Sequence, residues 1–294
     1  MAAPRTLDED SQRTDILPNG RLGRYVERIW TLRRDANAPL PHLLPGTGAE
    51  VLFFIGEPPI LIDSNGKRQR LAPTCVLNLR TRSARFRTQA QISFVSLRIR
   101  TGMLGALSSE APEEHIDACV SAEAVFGPKL AILGELVSTV TLRRAASVVH
   151  DFFQTLATRA VLPESTVRQA ASRLYYGAAS ERIEGLAADL GITRRHLERR
   201  FLATTGLTPK EYQRIARLHH AVRALLLERR SDYLPTALRY GFYDQAHFIH
   251  ELRALAGLKP SELLTEREFR SHFYNPPSSM GVILRTHDVL ERTR

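Results

Sequence analysis

Two stretches near the C-terminus of the chain read Ile183-Glu-Gly-Leu-Ala-Ala-Asp-Leu-Gly-Ile-Thr-Arg-Arg-His-Leu-Glu-Arg-Arg-Phe201 and Tyr233-Leu-Pro-Thr-Ala-Leu-Arg-Tyr-Gly-Phe-Tyr-Asp-Gln-Ala-His-Phe248. Each begins with a short apolar segment, turns at a glycine, Gly191 or Gly241, and reaches a residue able to cap a new, more polar helix. Two short helices joined by such a turn form a helix-turn-helix, whose second helix lies in the major groove of DNA. The repeated pattern predicts two such units in succession.

The second helix of the first unit is expected to begin after Thr193, whose hydroxyl can cap it. Leu197 and Phe201 lie four residues apart and should face the core. The residues left pointing outward are Arg194, Arg195, His196, Glu198, Arg199 and Arg200. Four arginines on so short a surface need a counter-charge, and guanidinium groups bind both DNA phosphates and guanine edges. A solvated charged face is the alternative interpretation.

In the second unit, Asp244 is expected to cap the helix that follows it, while Ala237, Leu238 and Phe242 are expected to be buried. The outward residues of that helix are Gln245, Ala246, His250 and Arg253. Glutamine can pair with adenine, and alanine can contact a thymine methyl group. We expect His247 to pack against its neighbours or to contact a phosphate.

A long helical segment is predicted between the two units, from Thr208-Pro209 to Arg229. At 1.5 Å per residue it would span ~30 Å, and successive major grooves on one face of B-DNA lie ~34 Å apart. The segment therefore has the length to hold two recognition helices one DNA turn apart. From Arg194 to Arg230, ten Lys or Arg residues accompany three acidic residues, so the basic surplus lies where a DNA-binding surface needs it.

The N-terminal half has the pattern of short β-strands separated by turn residues. Residues 63–66, Asp-Ser-Asn-Gly, fit a tight hairpin because Asn-Gly accepts positive φ. The alternation of residues 92–99 slips between Phe94 and Val95, as it would at a β-bulge. Many short strands with Gly and Pro turns predict a jelly-roll-like β-barrel or a sandwich. Residues 1 to about 20 are polar and are expected to be mobile.

After about residue 103 the apolar period becomes helical. Two amphipathic helices are predicted by Leu130, Leu133, Leu136, Val137 and Val140, and by Ala145, Val149, Phe152 and Leu156. They are expected to pack on the barrel or on a second subunit. We predict an α+β chain with an effector-sensing or dimerisation domain of β-barrel plus helices at residues 1–164. An all-α double helix-turn-helix DNA-binding domain would occupy 165–270, followed by a tail at 271–294.

Composition narrows the function classes. The 294 residues carry a net charge of +10, which favours a polyanionic partner. The start of the chain lacks the apolar core of a signal peptide, and no stretch reaches the ~20 apolar residues that span a bilayer. Cys75 and Cys119 provide no disulfide framework and no metal pair. A cytoplasmic protein with no membrane partner is therefore expected, in which the two cysteines are small core residues or sensors of oxidants.

The stretch from about 180 to 265 resembles the DNA-binding domain of AraC/XylS-type transcription regulators. The residues that carry the resemblance are Leu186-Ala187, Gly191, Leu197, Arg200-Phe201, Gly206, Pro209, Arg217-Leu218, Ala221, Leu225, Gly241-Phe242, Asp244, His247-Phe248, Gly257 and Pro260-Ser261. Thr236 and Leu252 depart from the family, which usually has Ile and Phe at these positions. Residues 45–56 resemble, more weakly, the barrel-and-helix sensor domains of the same regulators.

The resemblance implies base contacts at Arg195, Glu198, Arg199, Gln245, Ala246 and His250. Backbone contact or helix capping is then expected of Thr193, Arg194, His196, Arg200, Asp244, His247 and Arg253. It also implies a bacterial-type transcription factor, not an enzyme, whose partners are double-stranded DNA and RNA polymerase. The N-terminal half of such regulators binds a small-molecule effector, forms a homodimer, or does both.

Two other function classes compete with a sequence-specific regulator. A metal-dependent barrel enzyme is disfavoured because residues 20–100 contain one histidine, His42. His247 and His250 lack a third ligand, so we expect no metal and no cofactor. A non-specific architectural protein would bind cognate and random DNA with little difference in affinity. Another open question concerns Arg80, Arg82, Arg85 and Arg87, which could line a pocket for an anionic effector or form a solvated strand edge.

Overall fold

An antiparallel β half is followed along the chain by an all-helical half in the computed structural model, which describes residues 15–38, 40, 42–108, 116–162, 165–227 and 233–265. The strands are β1 (Asp15–Ile16), β2 (Val26–Arg34), β3 (His42–Leu43), β4 (Glu50–Phe54), β5 (Ile60–Asp63), β6 (Arg68–Arg70), β7 (Thr74–Leu77), β8 (Ala84–Arg87), β9 (Ile92–Ile99) and β10 (Cys119–Ser121). The helices are α1 (Leu104–Leu107), α2 (Ala122–Phe126), α3 (Lys129–Ser138), α4 (Leu142–Arg159), α5 (Ser165–Tyr176), α6 (Ile183–Asp189), α7 (Arg194–Thr205), α8 (Pro209–Leu227), α9 (Tyr233–Arg239), α10 (Gln245–Ala256) and α11 (Pro260–Thr265).

The described strands are divided between two antiparallel sheets. The larger sheet has six strands in the order β1-β2-β9-β4-β7-β10, and the smaller has four in the order β3-β8-β5-β6. The α+β class is confirmed, and of the two predicted architectures the described strands form two layered sheets, as in a sandwich, and not a closed barrel. The six-stranded sheet packs one face against helices and the other against the second sheet. The protein therefore has one core on each side of this sheet.

Strand β9 explains the slip in the apolar alternation at Phe94 and Val95. Its register against β2 and β4 is regular at both residues, so the predicted bulge there is wrong. Phe94 packs in the core between the two sheets, while Val95 packs in the core beneath the helices. A strand that is buried on both faces carries apolar residues at successive positions.

The two predicted amphipathic helices correspond to α3 and α4, and both pack on the six-stranded sheet. Thr141 caps α4 by accepting a hydrogen bond from the Arg144 amide. Val149 and Phe153 are fully buried in the core that α4 shares with the sheet.

Between the sheets, Cys75 and Cys119 are both buried, and their mutual hydrogen bond together with burial raises the pKa of the Cys75 thiol. Their burial agrees with the interpretation that they are small core residues.

The hairpin predicted at residues 63–66 joins β5 to β6. Asp63 Oδ1 accepts hydrogen bonds from the backbone amides of Asn65 and Lys67 at 2.8 and 2.9 Å, and Gly66 adopts a φ of +82°. At the N-terminus, β1 pairs with β2, so residues 15 and 16 belong to the sheet, contrary to the expected mobility there. Residues 1–14 and the tail at 271–294 lie outside the described residues.

The helical half is built around α8. Its 19 residues correspond to about 28 Å at 1.5 Å per residue, and it has α6 and α7 before it and α9 and α10 after it in the chain.

Thr236 and Leu252, which depart from the family pattern, are both buried. Leu238 was expected in the core, but 53% of its surface is exposed. Its position on a two-turn helix lies outside the face that contacts α8 and α10.

Candidate nucleic-acid interface

The first helix-turn-helix comprises α6 and α7. Gly191 turns the chain with a φ of +69°, and the Thr193 hydroxyl accepts a hydrogen bond from the His196 amide at 3.2 Å. Leu197 and Phe201 are fully buried, which determines the face of α7 that points away from the core. The predicted turn, cap and core residues of this unit are therefore confirmed.

The outward residues of α7 have two kinds of surroundings. Arg195 and Arg199 are exposed, and within the described part of the chain neither side chain has a hydrogen bond or an ion pair. Arg194 instead contacts Glu184 of α6 and donates from Nε to Glu198 Oε1 at 2.7 Å. The carboxylates of Glu184 and Glu198 bind Arg194 between α6 and α7. Arg195 and Arg199 are therefore the arginines of α7 that are most available to contact a base.

Two further residues of α7 are less accessible than the sequence suggested. His196 is half-buried, and its Nε2 atom is shielded from solvent with no hydrogen-bond partner among the described residues. Arg200 is also half-buried. A phosphate contact by His196 would require its ring to rotate outward.

The second helix-turn-helix comprises α9 and α10. Asp244 Oδ1 accepts a hydrogen bond from the His247 amide at 2.7 Å, which confirms the predicted cap. Phe248 is fully buried. Exposed positions along α10 are occupied by Gln245, Ala246, His250 and Arg253. The structure thus brings all four predicted outward residues of this helix onto its accessible surface.

The turn of the second unit contains one residue more than the turn of the first. The cap Thr193 stands two positions after Gly191, whereas Asp244 stands three positions after Gly241, and the additional residue is Tyr243. The Tyr243 side chain is 86% exposed, directly before the recognition helix. Sequence reasoning missed Tyr243, although comparing the two turn lengths would have found it.

Tyr243 also determines the orientation of His247. Its backbone amide donates to His247 Nδ1 at 3.1 Å, and the imidazole packs edge-on against Phe242 with the ring centres 5.5 Å apart. Because Nδ1 accepts, the proton of a neutral ring lies on Nε2. The packing predicted for His247 is present, and Nε2–H is left able to donate to a phosphate.

Two arginines of α8 hold the second unit in place. Arg214 forms a bidentate ion pair with Glu251 of α10, with Nε donating to Oε2 at 2.5 Å and Nη2 donating to Oε1 at 3.0 Å. Arg217 donates to the Gly241 carbonyl at 3.1 Å and lies 5.0 Å from the centre of the Phe242 ring. Both arginines belong to the basic surplus that was expected to serve a DNA-binding surface, but they are engaged within the protein.

The β half and the helical half share side-chain contacts. The Thr101 hydroxyl donates to the Thr47 carbonyl at 2.6 Å and lies 3.0 Å from the Tyr212 hydroxyl of α8. Ser83 hydrogen-bonds the end of α10 through its amide to Leu255 O and its hydroxyl to Ala256 O. The positions of the recognition helices are therefore coupled to the β half.

A cavity of about 250 Å³ lies between the two halves. Its charged and aromatic lining consists of Arg24, Glu27, Arg98, Arg100, Arg168, Tyr175, Tyr176 and Tyr212. Arg98 is bound by two carboxylates, Glu27 at 3.0 Å and Glu50 at 2.9 Å. Burial alone would raise the pKa of Glu27, but the nearby arginines hold it below its usual value. This cavity could not be predicted from the sequence because its lining residues come from distant segments of the chain.

Within the described ranges, no group of three or more His, Cys, Asp or Glu side chains is arranged to hold a metal ion. Among the helices of the same ranges, none has the length and apolar character to cross a bilayer.

Comparison with known proteins identifies the class of the C-terminal part. Residues 186–266 match the family model described as a helix-turn-helix domain. No curated protein matches the chain. The C-terminal part is thus a DNA-binding helix-turn-helix domain, and it is of the AraC type. The protein is accordingly a DNA-binding transcription regulator.

Solved structures with a related arrangement include ToxT from Vibrio cholerae O395 bound to (E)-4-(8-methylnaphthalen-1-yl)but-3-enoic acid, which is 14% identical with a TM-score of 0.48 over 88% of this chain and 100% of that one. Unsaturated fatty acid-bound ToxT from Vibrio cholerae strain SCE256 is 14% identical, with a TM-score of 0.47 over 80% and 94%. A transcriptional regulator from Chromobacterium violaceum with an AraC-type DNA-binding domain is 27% identical, with a TM-score of 0.33 over 35% and 92%.

Proposed function

We propose that the protein regulates transcription by reading two successive major grooves, α7 in the first groove and α10 in the second. The observation that carries this proposal is the pair of capped, exposed recognition helices joined by α8. In α7, Arg195 and Arg199 supply free guanidinium groups for guanine edges, and Glu198 limits the choice of base while it orients Arg194. In α10, Gln245, Ala246 and His250 face the bases.

The DNA backbone is held by the residues that surround these reading positions. Arg200, Arg253 and His247 Nε2 contact phosphates, and the exposed Tyr243 ring lies against the sugar-phosphate chain with its hydroxyl as a donor. Contacts of this kind set register and orientation and carry no sequence information directly. Thr193 and Asp244 act through capping, which fixes the first turn of each helix.

We further propose that a small acidic effector binds in the cavity between the two halves. Neither Arg24 nor Arg168 has a carboxylate partner in the described part of the chain, while Arg100 donates to the Gly23 carbonyl. Three tyrosines supply apolar lining with polar tips, and ligand cavities commonly lie at such domain interfaces. A bound ligand would contact both halves and so bias the placement of α7 and α10. RNA polymerase is the expected partner on DNA, and a homodimer through the N-terminal half remains a second route of control.

The proposal is tested by selecting sites from a library of random duplexes with the full chain. We expect enriched sites to contain two conserved blocks whose centres lie ~10 bp apart, one helical turn. Repeating the selection with small carboxylic acids should change the affinity for the same sites. Enrichment of one block alone would contradict reading by both units, and no enrichment over random DNA would favour an architectural protein.

A further inference from the structure

We propose that the outer face of the four-stranded sheet is a second DNA-binding surface, which holds the phosphate backbone beyond the groove occupied by α10. This surface, the basic sheet face, consists of Arg68, Arg70, Arg85 and Arg87. The proposal rests on the proposed DNA-binding function. It assigns the extra contacts to the β half of the protein.

Strand register places all four arginines on one face. Ile60 of β5 pairs with Arg70 on one side and Arg87 on the other, and Ile62 pairs with Arg68 and Arg85. Directly paired residues in antiparallel strands point to the same face of the sheet. The alternate residues Leu61 and Phe86 point the other way, into the core between the sheets. The arginines therefore face outward together.

The charge of this face is not neutralised within the protein. All four arginines are exposed, and in the part of the chain that the structure describes none has a salt bridge. Glu57 lines a surface cavity with Arg68 and Arg87 without pairing with either, and Asp63 Oδ1 at the end of β5 already binds two backbone amides of the hairpin. Four unpaired guanidinium groups on one sheet face create a positive potential that attracts a polyanion.

The spacing of the face suits a phosphate backbone. Strands lie ~4.8 Å apart and alternate residues ~6.8 Å apart, so the four Cα positions form a rectangle of about 7 by 10 Å. Each strand of B-DNA carries one charge per ~3.4 Å of axis, so several phosphates fall within this area. The planar guanidinium group binds phosphate oxygens with two parallel hydrogen bonds. A polymeric anion can thus engage all four arginines at once.

The position of the face favours DNA over an acidic protein. A cavity of about 240 Å³ is lined by His42, Ile62 and Arg85 of the sheet together with Ala256 and Gly257 at the end of α10. The Ser83 hydroxyl bonds the Ala256 carbonyl at 2.6 Å at the same junction. The basic sheet face therefore begins where the second recognition helix ends, and a duplex held by α10 is the polyanion nearest to it.

The test compares two full-length variants with the same change of charge. The first combines R68Q, R70Q, R85Q and R87Q. The control combines K129Q, R143Q, R144Q and R159Q, which alters exposed residues of α3 and α4. Affinity for a selected site is measured against salt concentration on a short duplex and on duplexes extended by ~21 bp, two helical turns, on either side.

Each phosphate contact contributes about 0.9 to the slope of log K against log salt, so the four-arginine variant should lower the slope by roughly two to four on the duplex extended beyond α10. The control variant should keep the wild-type slope on every duplex. The four-arginine variant should also keep it on the short duplex and on the duplex extended in the opposite direction. Equal slopes for variant and control on every duplex would overturn the proposal. The same two variants are also compared on a random duplex ~60 bp long. A lower slope for the four-arginine variant there supports the basic sheet face even if the selection finds no specific site.

Discussion

Arg199 and Arg194 lie on the same recognition helix, but their surroundings give them different roles. Arg194 is held between Glu184 and Glu198, whereas Arg199 is exposed with no partner in the described residues. An arginine that is already bound by two carboxylates offers fewer donors to a base edge. At the scale of single residues, freedom from internal partners therefore separates base readers from residues that brace the unit.

Replacing Arg199 with alanine should weaken binding to a selected site by about 1–3 kcal/mol and relax the preference at one base position. Affinity for random duplexes should change much less, because base contacts distinguish one sequence from another. Fluorescence anisotropy on matched selected and random duplexes measures both quantities. Arg143→Ala on α4 is the control, and an equal loss on both duplexes would show that Arg199 contacts the backbone only.

Helix α8 carries two half-buried histidines at its contact with α5. His219 Nδ1 lies 3.1 Å from the Tyr175 hydroxyl, and His220 Nε2 donates to the Tyr175 carbonyl at 2.9 Å. Burial lowers the pKa of His219 well below its usual value and lowers the pKa of His220 to about 4. Both side chains are therefore neutral in the folded protein near pH 7. The helix that links the two reading units depends on this neutral contact.

The free energy of unfolding should fall as the pH is lowered from about 6.5 towards 4, the window between the unfolded and folded pKa values. Over that window the unfolded chain takes up protons that the folded chain does not, at up to about 1.4 kcal/mol per pH unit for each histidine. Urea unfolding between pH 5 and pH 7.5 measures the slope. The H219Q/H220Q variant should have a shallower slope, while H250Q, which changes an exposed histidine, should keep it. A double variant with the wild-type slope would contradict the assignment.

At the scale of the whole molecule, the two halves share core residues. Leu79, next to β7, is 3% exposed and packs in the cluster formed by α5, α6, α7 and α8. Leu44 of the β half is buried in the cluster around α8 and α10. The helical half is thus partly covered by residues of the β half, which is the physical basis for transmitting a signal from the cavity to the recognition helices.

Leu79→Ala should destabilise the helical half by roughly 2–5 kcal/mol, because it leaves a cavity in that half's core. Far-UV circular dichroism follows the helices, and the fluorescence of Trp30, the one tryptophan of the chain, follows the β half. We expect coincident urea transitions in the wild type and an earlier dichroism transition in the variant. Leu136→Ala, at an exposed site on α3, is the control. Coincident and unshifted transitions in Leu79→Ala would show that the shared core carries no coupling.

Sequence reasoning succeeded where the signal is local. Thr193 and Asp244 cap residues three positions away, and Leu197 and Phe201 face the core four residues apart. It failed at β9, where burial on both faces resembled a bulge, and at Leu238, whose exposure depends on how α9 is placed. The number of sheets could not be predicted from the sequence either, because strand pairing joins segments that are far apart in the chain.

The amino-acid order alone determined the two capped turns, the recognition helices and the length of α8, since each depends on residues within a few positions of one another. Only the tertiary structure decided which arginines are free. Arg214 is bound to Glu251, 37 residues away, and Arg194 reaches Glu184 on the preceding helix. The basic sheet face likewise exists because strand register brings Arg68 and Arg85 to either side of Ile62. A charge is available to DNA only when folding leaves it without a partner, and that depends on contacts between distant segments.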